Sequence, residues 1–197
     1  MRPFHLLLFV AAVLGLSACG GSPSPTSAVT DTTPIATVRG QDPHITVIPS
    51  NGLISFTDAV TGVSLDYPEG WIMDQVRGGT RSPSVFVFTN YGHIPALMDK
   101  IPEHQTALYL NIMKPNPDTT LPGMIDGYKQ QWIKEGSVIV TEENVILKSG
   151  QPAIAVYLDS YLGKPYYYLF TSVGDQLVVI EALGDLAPVP AIALTVR

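Results

Sequence analysis

Cys19 is the chain's single cysteine. An intrachain disulfide needs two, so that staple is excluded. Basic charge is also scarce. Eleven Lys and Arg stand against 17 Asp and Glu, for a formal net charge of −6. Nucleic-acid binding needs a basic surface to neutralise phosphates, so the composition argues against that partner. A polybasic patch for anionic lipid is missing for the same reason. The longest apolar run, Phe4 to Leu16, is interrupted by His5 and Gly15. It falls short of the roughly 20 residues that a transmembrane helix requires. No Gly-x-Ser-x-Gly nucleophile elbow occurs. Gly78-Gly79 is not followed by the Gly-Lys-Ser/Thr of a phosphate loop. No internal repeat is visible.

What is there begins with a processing signal. Arg2, an apolar stretch of modest length and the small residues Ser17 and Ala18 have the layout of a secretory signal. Leu16-Ser17-Ala18-Cys19 resembles the bacterial lipobox, which runs Leu, small, small, Cys. That resemblance implies cleavage between Ala18 and Cys19 and diacylglycerol on the Cys19 sulfur. It also implies acylation, by a palmitate-type chain, of the new amine. A cysteine inside an uncleaved anchor helix is the alternative, and the run is short for it. Loss of Met1 to Ala18 removes only Arg2 among the charges and takes the net charge from −6 to −7. Electrostatics would then not hold the protein at a membrane, but lipid would. Each buried methylene contributes about 0.8 kcal/mol, and two or more chains anchor stably where one does not. The expected location is the extracytoplasmic face of a cell membrane, with the choice of membrane left open.

Gly20 to about Asn51 is rich in Ser, Thr and Pro and has no apolar period. Such a segment cannot bury enough surface to offset its ordering entropy. The expected organisation is a signal at 1–18, a lipidated cysteine with a flexible tether at 19–51, and a globular domain at 52–197. Ile45-Thr46-Val47-Ile48 is the tether's one strand-like patch. It either docks on the domain or ends the linker.

Within the domain, Leu53 to Asp58 and Val63 to Tyr67 alternate as half-buried strands around a turn at Ala59 to Gly62. Pro68-Glu69-Gly70 ends the pair, and Trp71 caps the exit. Ser84 to Asn90 and Ala107 to Met113 are further strands, with a helical turn possible at Ala96 to Lys100. Leu121, Ile125, Tyr128 and Trp132 lie on one stripe of a helix over Leu121 to Glu135. Thr119 or Thr120 can cap its start, and Gly136 its end. Four strands follow: 137–147, 153–160, 165–173 and 176–183. Ser149-Gly150, Leu162-Gly163-Lys164 and Gly174-Asp175 separate them. A short helix is expected from about Pro190. Short connections imply antiparallel neighbours, so the fold class is α+β with one antiparallel sheet covered by helices.

Phe56-Thr57-Asp58 and then Gly62-Val63-Ser64-Leu65-Asp66-Tyr67-Pro68-Glu69-Gly70-Trp71 resemble the opening hairpin of PsbP-like proteins. The amphipathic helix closed by Gly136, the Gly150-Gln151-Pro152-Ala153 turn and two long strands agree with it. The resemblance covers about Leu53 to Val196. It implies an antiparallel sheet sandwiched by helices, α/β/α, and a non-catalytic role. PsbP itself is an extrinsic subunit of photosystem II that helps retain calcium and chloride. The long Ser/Thr/Pro tether departs from the photosynthetic members.

Three constellations carry chemistry. His93, Asp99, Glu103 and His104 offer ligands suited to Zn²⁺ or Mn²⁺, but their spacing fits no metal motif. A polar surface loop accounts for them as well, and no metal or cofactor is expected. Ser84 or Ser172 with His93 or His104 would make a nucleophile and base, a pairing that chance supplies in most chains. Tyr166, Tyr168 and Phe170 share one strand face, with Tyr167 opposite. They form either a binding platform or an aromatic strand packed on the helix stripe. The leading expectation is a lipid-anchored accessory or binding domain, not an enzyme, with an envelope protein partner. An envelope hydrolase or metal enzyme is the alternative, and a photosystem II accessory protein is another.

Overall fold

The computed structural model describes residues 45–50 (backbone only), 52–76, 84–92 and 101–197. All belong to the compact unit Pro34–Arg197. The signal segment, Cys19, most of the tether and the Ala96 to Lys100 turn lie outside the described residues.

Helix α1 spans Leu121–Glu135, as its stripe predicts. Thr120 sits in extended backbone and accepts the Gly123 N–H on its hydroxyl at 3.2 Å. Gly136 adopts φ +83°, the left-handed cap that side-chain-bearing residues resist, and donates its N–H to the last turn. Ile125 and Trp132 are buried.

The strands are β1 (Ile45–Ser50), β2 (Leu53–Asp58), β3 (Ser64–Pro68), β4 (Ile72–Val76), β5 (Ser84–Thr89) and β6 (Thr106–Met113). After α1 come β7 (Val138–Ile146), β8 (Pro152–Asp159), β9 (Pro165–Val173) and β10 (Gln176–Gly184). Seven of them form one antiparallel sheet in the order β4-β5-β6-β10-β9-β8-β7. The path explains the helix. The chain leaves β6 near the middle of the sheet and returns at its far edge as β7. It then meanders back through β8 and β9 until β10 pairs with β6. Helix α1 is the crossover. Its stripe packs on Val156, Leu158, Tyr168, Phe170 and Val179 of the sheet's one face.

The opposite face is covered differently from expectation. Strands β1, β2 and β3 form a separate three-stranded sheet. Ile54, Phe56, Leu65 and Tyr67 of that sheet stack on Phe86, Phe88, Leu108 and Leu110. Phe56 meets Phe86 at 4.5 Å between ring centroids and Phe88 edge-on at 5.6 Å. Helix α2 (Val189–Ala193), near the predicted Pro190, joins this cluster through Val189, Ile192 and Ala193. The α+β, α/β/α expectation is therefore corrected. The fold is mostly β, with one helix layer on one face and a small sheet plus five helical residues on the other. The strand-like patch at Ile45 pairs with β2, from Ile45↔Asp58 to Ser50↔Leu53. Strand β4, directly after Trp71, was not expected.

A tie closes the small sheet. Arg197 and Ser64 exchange backbone hydrogen bonds at 2.8 and 3.2 Å. The Arg197 guanidinium grips Asp66 at 3.0 and 3.1 Å, and the Ser55 hydroxyl donates to the same carboxylate at 2.6 Å. Elsewhere, Gly184 has φ +89°, and a Cβ there would collide with the Gln105 carbonyl oxygen and lie 2.9 Å from Ile101 Cγ2.

Candidate functional site

Of the predicted site residues, Ala18, Cys19, His93 and Asp99 lie outside the described residues. Glu103 and His104 are neighbours on a surface turn, 3.8 Å apart and 91% and 86% exposed. Among the described residues, no three His, Cys, Asp or Glu side chains come together as a metal would require. Ser84 is buried in β5, and Ser172 lies in β9, three strands away. His104 precedes β6, whereas Ser84 stands opposite Ile112 near that strand's far end.

The aromatic strand is resolved in favour of packing. Alternation along β9 puts Tyr166, Tyr168 and Phe170 beneath α1. Trp132 lies 4.6 Å from Tyr168, and Tyr128 lies 5.2 Å from Phe170, between ring centroids. Tyr167 points to the other face and packs edge-on to Tyr157 at 5.0 Å.

An acid and a tyrosine joined by a hydrogen bond sit beside this packing. Glu181 of β10 lies across from Tyr168 on β9 and Tyr109 on β6. Burial pushes its carboxyl up, and a hydrogen bond with Tyr168 offsets part of that rise. Burial likewise drives the Tyr168 hydroxyl upward, with the nearby Glu181 charge adding to it and a Trp132 hydrogen bond opposing it. Tyr67, on the other face, is pushed up to about 12 by burial. A perturbed acid in an open cleft is a candidate catalyst. Glu181 is half-buried between Tyr168 and Tyr109, and it does not line the surface depression at the β7 edge.

That depression was not foreseen. It encloses about 350 Å³ at the outer edge of the large sheet, where Val140, Thr141, Glu143, Tyr157, Asp159 and Tyr166 converge. Its shape comes from a β-bulge. The β7–β8 register slips between Ile139 and Thr141, leaving Val140 without an opposite residue. Val138 and Val140 are 62% and 55% exposed. The sequence signal was a run of three β-branched residues, Val138-Ile139-Val140, where a half-buried strand should alternate.

No family model matches the chain, and no curated protein does. Among solved structures, cyanobacterial PsbP (CyanoP) from Synechocystis has a similar fold. It superposes with a TM-score of 0.54 at 16% sequence identity, over 83% of this chain and 98% of that one. The fold is PsbP-like. A Pseudomonas aeruginosa protein of unknown function, described as a putative regulator, gives a TM-score of 0.41 at 12% identity. It matches over 77% of this chain and 94% of its own. The residues that drew the resemblance form the antiparallel pair β2 and β3. No helix among the described residues is long and apolar enough to cross a membrane.

Proposed function

We propose that this chain is an exported lipoprotein whose PsbP-like domain is a non-catalytic binding or accessory module. One observation supports the non-catalytic reading best. The acid whose carboxyl is raised, Glu181, is half-buried against Tyr168 and does not line the open depression at the β7 edge. Catalysis by acid and base needs the perturbed group within reach of a substrate. The Leu16 to Cys19 sequence supports the anchor, and the Ser/Thr/Pro stretch after it supports a spacer between lipid and domain.

Intact mass of the membrane-extracted protein tests the anchor. The expected species begins at Cys19 and carries acyl chains, and Cys19→Ala should leave an unacylated product that washes off the membrane. An unprocessed or unlipidated native mass would sink the reading. Native mass spectrometry before and after chelation tests the metal alternative in the same sample. A stoichiometric ion lost on chelation would revive it.

A further inference from the structure

We propose that the outer edge of β7, with the depression at its bulge, is a docking strip for an extended, cationic-aliphatic segment of a partner protein. The segment adds as an eighth strand. This rests on the binding-module reading and names its surface and the partner's chemistry.

The backbone offers the template. β7 ends the seven-stranded order, and no described strand pairs with its outer side. Half of its N–H and C=O groups point that way, a row that proteins usually blunt or cover. From Thr141 to Ile146 the register with β8 is regular, so six residues are extended and ready to pair. Strand addition takes affinity from such main-chain bonds and specificity from side-chain pockets.

The pocket is the depression, and its chemistry selects the occupant. Thr141 stands opposite Tyr157. Glu143 lies two residues along β7 from that pair and Asp159 two residues along β8, so a carboxylate flanks the ring on either side. Glu142 is already held by Lys129 of α1 at 2.6 Å. Glu143 and Asp159 are exposed and have no cationic partner among the described residues. A Lys or Arg can lay its apolar stem on the Tyr157 ring and bring its charge to these acids. Beyond the bulge, exposed Val138 and Val140 offer aliphatic contact. Tyr161 extends that surface beside them, since its N–H bonds the Ser137 hydroxyl at 3.2 Å.

A second copy fits poorly. Antiparallel pairing of β7 with its own copy over its full length places Glu142 opposite Glu142 and Glu143 opposite Thr141. β7 itself carries no Lys or Arg, so a paired copy brings no cation to Glu143 or Asp159.

The test uses the full chain purified in detergent and three synthetic peptides of about eight residues, the span of one strand. One alternates Lys and Val, one alternates Glu and Val, and the third is the Lys/Val peptide with alternate amides N-methylated. The Lys/Val peptide is expected to bind, with amide exchange slowed along 141–146 and affinity falling with added salt. The Glu/Val and N-methylated peptides should bind at least about tenfold more weakly, a loss of 1.4 kcal/mol in binding free energy. Glu143→Lys with Asp159→Lys should weaken the Lys/Val peptide by a similar factor. Both acids are exposed, so the variant should keep the native spectrum. Binding that ignores charge sign or N-methylation overturns the proposal, as does protection elsewhere or no binding at about 1 mM. Sedimentation showing a dimer that β7 substitutions dissolve would also overturn it, in favour of self-pairing. None of these readouts depends on acylation or turnover, so an unlipidated mass would sink the anchor and leave the strip standing.

Discussion

Asp66 and Glu181 are both carboxylates beside hydrogen-bond donors, and folding moves their protons in opposite directions. Partial burial pushes Asp66 up, but the Arg197 and Ser55 hydrogen bonds and the Arg197 and Lys148 charges outweigh it. Its folded value ends below the usual one. The pair therefore stabilises the fold above the unfolded carboxyl range, and that stability is lost as pH falls through the folded value. Both partners keep solvent contact, so Arg197→Ala should cost only about 1 kcal/mol or less at neutral pH, and less still at a pH where Asp66 is protonated and only hydrogen bonds such as that to the Thr195 carbonyl remain. Denaturant melts at two pH values check this, and an equal cost at both would refute it. Glu181 has the opposite sign. Its raised value makes the folded state hold a proton more tightly, so its contribution is complete below the unfolded carboxyl value and is lost as pH rises through the folded one. Glu181→Gln cannot ionise. It should therefore be more stable than the parent at pH 8, with the gain shrinking towards pH 4, and thermal melts read the difference. A gain that does not vary with pH would mean that ionisation is not the cost.

At the scale of elements, α1 shows what was legible and why. Its cap residue, its stripe and its closing glycine are local signals, and each survives in the structure at Thr120, Trp132 and Gly136. They differ in weight. Short helices are marginal alone and are held by packing. Trp132→Ala should cost about 3–5 kcal/mol, against about 1 kcal/mol for Thr120→Ala. Near-UV circular dichroism during denaturant unfolding ranks the two, and the reverse order would make the cap the dominant support. β8, β9 and β10 were equally legible, because turn residues punctuate them. β4 was not. Ile72-Met73-Asp74-Gln75-Val76 has few β-branched residues, and its pairing with β5 decides its conformation. The β7 bulge was illegible too, since a slip of register depends on the partner strand.

At the scale of the molecule, the correction concerns which layer a strand joins. β2 and β3 alternate whether they pair into the large sheet or lie across it, because alternation reports one buried face and not what buries it. Phe56 and Tyr67 are buried against Phe86 and Phe88 by stacking, a contact no period reveals. The α/β/α arrangement came from the family resemblance, and here a small sheet stands where a helix layer was expected. Of the candidate site, the aromatic face of β9 was legible and the β7 depression was not.

The pairing of β10 with β6 sets an order in time. β6 ends at Met113 and β10 begins at Gln176, so the centre of the sheet is its latest possible join. Contacts between distant segments form slowly, after the local ones. Until β10 exists, β6 and β9 are two raw edges on two half-sheets. A chain threaded through a membrane from its N-terminus would carry both edges until its last strand emerged. Such a chain depends on remaining unfolded, or on being shielded, for almost its whole passage.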